Sequence, residues 1–227
     1  IKFMKQIIVF SIIFFTTKIY SFPIPENNKV SFDIIRKNKT IGSVVTDFKI
    51  EEDQLIIDTV VDIKVKIFLF PAYKFHQETT EIWINNEFIE IDGYTDFEDE
   101  REYFIKGKDI EDNFIASGMD GELKLDKNII PLNYWNKKIL KETEVFDTQK
   151  GIVRKITVKK LENEFIKIND KKIEVEKYTL DASKNPKDKG PFPTYTIWYK
   201  GDELIKFEFK NWKDKKTITT IRNDLSD

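Results

Sequence analysis

The segment from Tyr73 to Trp83 (YKFHQETTEIW) holds the side chains best suited to binding a small molecule. In a β-strand, alternate residues point to the same side. One side of this segment would carry Tyr73, Phe75, Gln77, Thr79, Glu81 and Trp83. Aromatic walls with a few polar groups are typical of ligand sites. We therefore predict a ligand-binding site here, with the Glu81 carboxylate as its polar anchor.

Glu81 has two interpretations. If its side chain points inward, the buried carboxyl group needs a hydrogen-bonding partner or a raised pKa. It can then anchor a ligand inside an aromatic-lined cavity. Alternatively, it can make a purely structural hydrogen bond to a tyrosine or a backbone amide.

The four tryptophans are spread along the chain, and two of them, Trp135 and Trp212, lie beside an asparagine. Core packing is the usual role of such rings, and lining a cavity is the alternative. Trp135-Asn136 lies at the only helix-like segment, where it could close one end of a sheet. The predicted ligand-binding residues are Tyr73, Phe75, Glu81, Trp83, Trp135, Asn136 and Trp198.

Catalytic and metal-binding residues are not evident in the sequence. His76 is the only histidine, and strand alternation places it opposite Glu81. No serine lies in a G-x-S-x-G setting. The acidic run from Asp96 to Glu102 lacks the spacing of an EF-hand, so a solvated turn is favoured over a cation site. We predict no catalytic residue, no metal ligand and no cofactor.

Composition narrows the functional classes. The chain has 38 basic and 40 acidic residues, which argues against binding to nucleic acid. The absence of cysteine excludes disulfides, thiolate metal sites and cysteine nucleophiles. Aromatic residues make up 14% of the chain, with 19 phenylalanines, so a core can form without covalent crosslinks.

The N-terminus is typical of a signal peptide. Lys2 and Lys5 precede an apolar run at Ile7–Phe15, and Ser21 offers a small residue for cleavage. The run is too short to span a bilayer, which needs about 20 residues; a buried first helix is the alternative. We predict a signal peptide at residues 1–21, one β domain at 22–227, and a periplasmic or secreted location. Cleavage would remove three of the 38 basic residues and none of the 40 acidic ones, leaving a net charge of −5.

The elements that position these residues are predicted to be strands. From residue 29 onward, apolar residues recur with a period of two. The clearest strand, Gln54–Ile67, would run about 46 Å, so it must twist and wrap a curved sheet. Other predicted strands are Val30–Lys37, Thr40–Ile50, Ala72–Ile84, Glu87–Phe97, Glu102–Lys106, Asn113–Ser117, Glu122–Leu125, Ile152–Leu161, Phe165–Ile168, Lys172–Leu180, Thr194–Lys200, Glu203–Asn211 and Thr217–Arg222.

We predict one short helix and one long surface loop among these strands. The helix, Tyr134–Glu144, would be capped by Asn133. The loop, Ala182–Phe192, contains two prolines and a glycine. The predicted fold is all-β: a long twisted antiparallel meander that forms a half-barrel or open barrel, with at most one or two short helices.

Several short motifs occur in a recognisable order. They are Ile41-Gly42, Tyr73-Lys-Phe75-His76, Glu81-Ile-Trp83, Thr95-Asp96-Phe97, Trp135-Asn136, Trp198-Tyr199 and Leu204-Ile205-Lys206-Phe207. The arrangement resembles an uncharacterised family of exported bacterial β proteins, known as a domain of unknown function. The family usually has Asn-Gly after its Thr-Asp, whereas this chain has Phe97-Glu98-Asp99. The resemblance implies an envelope location and a twisted sheet or half-barrel, and it implies no activity or catalytic residue.

Three functions are consistent with these features. The first is a carrier or sensor that binds an apolar or lipid-like ligand in the curved sheet and contacts the membrane only transiently. The second is a non-catalytic structural or assembly factor that binds other envelope proteins through strand edges or a surface patch. A hydrolase ranks third, since the many carboxylates single out no catalytic pair.

Overall fold

The structure is a computed structural model that describes residues 24–67, 70–98, 101–168 and 171–224. The predicted signal peptide lies outside these residues, as do Asp99 and Glu100 of the predicted acidic turn. The strands are β1 (Lys29–Arg36), β2 (Lys39–Glu51), β3 (Gln54–Ile67), β4 (Phe70–Ile84), β5 (Glu87–Phe97), β6 (Glu102–Ile110), β7 (Asn113–Gly118), β8 (Gly121–Asp126), β9 (Glu144–Asp147), β10 (Ile152–Lys160), β11 (Glu164–Ile168), β12 (Lys171–Ala182), β13 (Tyr195–Lys200), β14 (Glu203–Lys210) and β15 (Thr217–Arg222).

The strands form one antiparallel sheet with the order β8-β7-β6-β5-β4-β3-β2-β1-β15-β14-β13-β12-β10-β9. Strand β11 pairs with β12 just beyond the end of β10. Two meanders, β1–β8 and β12–β15, are therefore joined where the first and last strands pair. The predicted all-β, antiparallel fold is confirmed.

The strand bounds follow the predicted ones closely. Strands β3, β5 and β15 match the prediction at both ends, and β6 continues to Ile110, four residues past its predicted end. The predicted helix is wrong in its extent. Only a short 3₁₀ helix, Lys137–Lys141, forms there, and its N-cap is Asn136 instead of Asn133. Glu144, the last residue of the predicted helix, begins β9.

The concave side of the sheet is filled by the connection between β8 and β10. We call residues 129–151 the plug. Ile129, Trp135, Ile139, Val145 and Phe146 of the plug are buried in the main core. The apolar faces of both meanders pack against these side chains, because a sheet this long must bury its inner face on something.

The two ends of the sheet meet at a backbone seam. The Met119 amide, just after β7, donates a hydrogen bond of 2.7 Å to the carbonyl oxygen of Lys150 in the plug. Gly118 and Gly151 make this contact possible, since a β-carbon on Gly118 would lie 2.5 Å from the Gly151 α-carbon. The seam curls the sheet into a barrel-like shape.

A second, smaller core lies on the opposite side of β12–β14. It consists of Ile168, Val175, Trp198 and Ile205. Trp198 alternates with Ile197 and Tyr199, which face the main core. Strand β11 and the start of β12 thus cover Trp198 from outside.

No helix in the part of the chain that the structure describes is both long and apolar enough to cross a membrane.

Candidate functional site

Strand β4 presents the predicted site residues along its inner face. Phe75, Glu81 and Trp83 are buried, as are Gln77 and Thr79 between them. The intervening residues of the strand are exposed or half-buried. The alternation expected of a β-strand therefore directs the aromatic and carboxylate side chains inward.

Glu81 is held by two side-chain donors. The Trp83 indole Nε1 donates to Oε2 at 2.9 Å. The Asn133 amide nitrogen Nδ2 lies 3.0 Å from Oε1 and 3.1 Å from Oε2. Asn133 belongs to the plug, so this contact links β4 to the segment that fills the interior. The predicted structural bond to a tyrosine or backbone amide is thus replaced by bonds from an indole and a side-chain amide.

Burial changes the acidity of Glu81. Its side chain is 2% exposed. Loss of solvation disfavours the charged form and raises the pKa of the carboxyl group to about 7, while the bonds from Asn133 and Trp83 act in the opposite direction. Glu81 therefore exchanges its proton near neutral pH inside an apolar setting.

Trp135 and Asn136 lie at the same end of the interior. The Trp135 ring packs edge-on against Trp83 at 6.1 Å and against Phe48 at 5.7 Å between centroids. The Asn136 side-chain oxygen accepts a 3.1 Å bond from the Lys138 amide, and its backbone amide donates to the side-chain oxygen of Asn133. The structure therefore brings Glu81, Trp83, Trp135 and Asn136 into one connected group.

The other three predicted residues lie elsewhere. Phe75 packs against Phe97 at 4.9 Å, near the opposite end of the inner face of β4. Tyr73 is half-buried on the same strand. Trp198 belongs to the second core, where its indole donates to Glu164. Strand alternation alone could not show that Trp198 faces away from the interior.

Two recesses among the described residues differ in size and lining. One, lined by Trp135, Phe48 and six other residues at the end of the interior, has a volume of about 20 Å³, which is room for about one water molecule. Another, of about 250 Å³, crosses β5–β8. It is rimmed by the ion pairs Lys106–Asp92 and Lys108–Glu90.

Sequence comparison then defines the family. Residues 32–223 match the family described as a domain of unknown function, DUF6134. The chain belongs to this family. The predicted resemblance to an uncharacterised family is confirmed, and the match includes every motif quoted for it. No curated protein matches the chain.

A solved structure shares the fold of this DUF6134 chain. It is the crystal structure of a β-barrel-like protein of the domain of unknown function DUF1849 from Brucella abortus. The TM-score is 0.61 at 13% sequence identity, and the alignment covers 88% of this chain and 97% of the other. The likeness establishes a barrel-like fold, as predicted, and carries no information about activity.

A buried ionic cluster escaped the sequence analysis. Arg154 on β10 is 2% exposed and donates from Nε to Asp147 at 2.5 Å. Its terminal nitrogens donate to both oxygens of Asp188, at 2.9 and 3.2 Å, and Lys150 Nζ donates to Asp188 at 3.1 Å. One signal was available: Arg154 occupies an inward position between Ile152 and Ile156, where an unpaired charge would be costly.

His76 lies on the face opposite Glu81, as the alternation predicts, and this is the outer face of the sheet. Its Nδ1 is 3.0 Å from Asp62 and its Nε2 is 2.9 Å from Glu78. The bond to Asp62 is the main cause that raises the pKa of His76 above 6.5. The two nitrogens face different carboxylates, and the described residues contain no group of three or more ligands placed to hold a metal ion.

Proposed function

We propose that this DUF6134 protein is exported to the cell envelope and acts without catalysis, as an assembly factor that binds another envelope protein on its outer surface. The observation that carries the proposal is the filled interior. Trp83, Leu55 and Ile57 are fully buried, and the plug occupies the concave side. A lipid chain would have to displace these side chains, so the packing favours the assembly factor over the carrier.

An exposed aromatic patch on β5 and β6 supports a protein partner. Phe104 is 66% exposed and lies beside Tyr94, with 5.2 Å between ring centroids. Val60, which is 36% exposed, lies in the same cross-strand row, two strands away from Tyr94. Exposed apolar clusters rimmed by polar residues are typical of protein interaction sites. We call Val60, Tyr94 and Phe104 the aromatic patch.

The residues around the aromatic patch indicate the chemistry of the partner's contact surface. Glu78 lies between Val60 and Tyr94 in the register, and Asp62 and Asp96 lie in the adjacent row beside His76. Asp96 also pairs with Lys74 at 3.3 Å, and Asp62 and Glu78 contact His76, so the rim favours a partner whose contact surface combines an apolar centre with polar groups of both charges at its edge.

A photo-crosslinking phenylalanine analogue at position 104 tests this function in cells that express the full chain. We expect one discrete protein adduct in the envelope fraction, identified by mass spectrometry and reproduced with the purified partner. The matched control places the analogue at Phe165, which is 60% exposed on β11, and should not yield this adduct. Phe104→Ser should abolish binding of the purified partner while it changes the free energy of unfolding by less than about 0.5 kcal/mol, as is usual for surface positions.

The carrier remains the competing outcome. If position 104 gives no adduct and organic extraction of the purified protein yields a lipid in molar proportion, the assembly function is wrong. Export is tested separately, by N-terminal sequencing of the mature protein from the periplasm. We expect it to begin at Phe22. A protein that retains Lys2 and Lys5 and stays in the cytoplasm would contradict the proposed location.

A further inference from the structure

The buried ionic cluster is completed by a carboxylate from a surface loop. Residues 183–194, which we call the loop, connect β12 to β13 and contain no regular secondary structure. Every residue of the loop is exposed or half-buried as a whole. The Asp188 side chain nevertheless is only 6% exposed, because it reaches down to Arg154 and Lys150.

We propose that Arg154 and Lys150 form a binding site for an oxyanion, the phosphate or carboxylate group of a small organic ligand, and that Asp188 occupies this site when the loop is closed. The ligand enters by displacing Asp188. This site is separate from the aromatic patch, and the inference is independent of the proposed partner.

The geometry around Asp188 is that of anion recognition. Two guanidinium nitrogens of Arg154 contact the two carboxylate oxygens, one each, as in bidentate binding of carboxylate or phosphate. Lys150 Nζ adds a third donor at 3.1 Å. Arg154 Nε donates to Asp147 on β9, and Nη1 also donates to the Ser183 carbonyl oxygen at 2.9 Å. These two bonds orient the guanidinium group towards the loop.

The charges of the cluster explain why the open site would bind an anion. With the loop closed, the positive charges of Arg154 and Lys150 are matched by Asp147 and Asp188. When Asp188 leaves, one positive charge remains uncompensated beside side chains that are nine-tenths buried. Since an unpaired buried charge is strongly unfavourable, the open state is populated only if another anion replaces Asp188.

Apart from Asp188, the polar side-chain contacts in the first part of the loop are exposed. Asn185 and Lys187 both bind Asp120 at 2.8 Å, and the Lys187 ammonium is more than half exposed. Exposed ion pairs of this kind contribute little to stability. At the start of the loop, Ser183 bonds to the Lys155 backbone in both directions and accepts from Arg154 at its carbonyl oxygen, so the opening movement would begin after this fixed point.

The aromatic rings around the Arg154 and Lys150 side chains indicate that the ligand carries an apolar group beside its anionic group. Lys150 Nζ lies 5.1 Å from the centre of the Phe97 ring and 5.6 Å from that of Tyr103. Phe192, at the end of the loop, covers Arg154 at 4.7 Å. When the loop moves, Phe97 and Tyr103 remain as walls, so a phosphate or carboxylate with a short apolar group is favoured over inorganic phosphate.

The loop carries a natural reporter of its position. The Trp212 ring lies against Gly190, so closely that a β-carbon there would be 2.7 Å from the ring atoms Cε2 and Nε1. Displacement of Asp188 should therefore change the fluorescence of Trp212. A Trp212→Phe variant identifies which part of the signal comes from this ring.

The test is a titration of the full-length protein with inorganic phosphate, hexyl phosphate and hexanoate, against sodium chloride at equal ionic strength. Because Asp188 is tethered, a free anion competes with a local concentration on the order of millimolar, so the wild type should bind with a Kd in that range or weaker. We expect hexyl phosphate to bind tighter than inorganic phosphate. The affinities for hexanoate and hexyl phosphate show whether the site prefers a carboxylate or a phosphate group. Binding to vesicles that contain phosphatidic acid shows whether a lipid can supply the phosphate.

Variants separate a binding site from a structural ion pair. Asp188→Gly should unfold at a lower temperature in chloride, recover in phosphate, and bind phosphate at least about tenfold tighter than the wild type. Adding Lys150→Met should remove that gain. If Asp188→Gly does not fold, Asp120→Asn replaces it as the test variant. This substitution weakens the contacts of Asp120 with the loop, so Asp188 should be displaced more easily and phosphate should bind more tightly. Equal stability of Asp188→Gly in phosphate and chloride, or a wild type and Asp120→Asn with no saturable response to any of the three anions, would overturn the proposal.

Discussion

Glu81 shows how one buried side chain combines the two interpretations of its sequence context. Both of its oxygens accept hydrogen bonds from Asn133 or Trp83, as a structural role requires. A ligand could reach the carboxylate only after one of these donors moved. The raised pKa follows from the same burial and needs no catalytic explanation.

Replacing Glu81 with glutamine should remove a pH dependence of stability. The folded protein holds the Glu81 proton up to a pKa of about 7, whereas the unfolded chain releases it near 4.5. The folded state therefore binds more protons in this window, and the free energy of unfolding falls as pH rises, by about 3 kcal/mol from this group. Urea denaturation between pH 4.5 and pH 7 should show this slope in the wild type and lose it in Glu81→Gln.

His76 requires its own control in this experiment. Its pKa is also raised, so its contribution to stability is complete below pH 6.5 and is lost as pH rises through the folded-state pKa. His76→Gln should flatten only the upper part of the profile and leave the slope at lower pH. A Glu81→Gln protein with the full wild-type slope would contradict the assignment to Glu81.

At the scale of strands, the motif Ile41-Gly42 has a steric explanation. Gly42 on β2 pairs with Ile63 on β3. A β-carbon on Gly42 would lie 2.0 Å from the carbonyl oxygen of Asp62, which is backbone and cannot move aside. The neighbouring strand β1 has a register shift between Ile34 and Ile35, directly beside Gly42. The absence of a side chain lets β1, β2 and β3 stay paired through this irregular point.

Gly42→Ala should therefore destabilise the protein by about 2 kcal/mol or more, the usual cost of forcing extra volume into a packed site. Chemical denaturation measures the loss, and hydrogen exchange should show faster opening of β2 and β3. The matched control is Ser43→Ala on the same strand, with an expected change within about 0.5 kcal/mol. Equal stability of the two variants would show that β3 tolerates the displacement.

The mispredicted helix also belongs to this scale. Tyr134–Glu144 has helix-compatible residues, but both of its ends are used elsewhere. Asn133 donates from Nδ2 to Glu81 and accepts the Asn136 amide at Oδ1, and the cap of the short helix is Asn136. Glu144 pairs with Lys155 in the sheet. Only the residues between them are left to form a 3₁₀ turn. Tertiary contacts overrode the local preference.

At the scale of the whole molecule, the barrel-like shape depends on one seam. The β7–β8 meander end reaches the plug through Met119 and Lys150, and the plug in turn is bonded to β4 through Asn133 and Thr148. The plug therefore connects the β7–β8 end of the sheet to β4 in its middle. A loss of the seam should loosen the interior without removing any strand.

Gly118→Ala tests the seam. The added methyl group would lie 2.5 Å from both the Gly151 α-carbon and the Lys150 carbonyl oxygen, so the two chain segments must separate. We expect a loss of about 2 kcal/mol in the free energy of unfolding, faster exchange of the Met119 amide and binding of a hydrophobic dye. Ser117→Ala is the control. Unchanged Met119 exchange in Gly118→Ala would show that the seam does not hold the sheet closed.

The sequence by itself determined the strands, the residues that share each face and the antiparallel class. These follow from a side-chain period that is local to each strand. Thus alternation alone predicted that Glu81 and Trp83 share one face and that His76 lies on the other.

Only the tertiary structure decided which inward groups meet and whether a cavity remains. Asn133 lies 52 residues from Glu81, and Asp188 lies 34 residues from Arg154. Such contacts depend on how far the sheet curls and where the plug lies within it. The same curvature places Trp198 under β11 and lets the plug fill the interior. The sequence could not predict these contacts, because packing between residues far apart in the chain has no local signature.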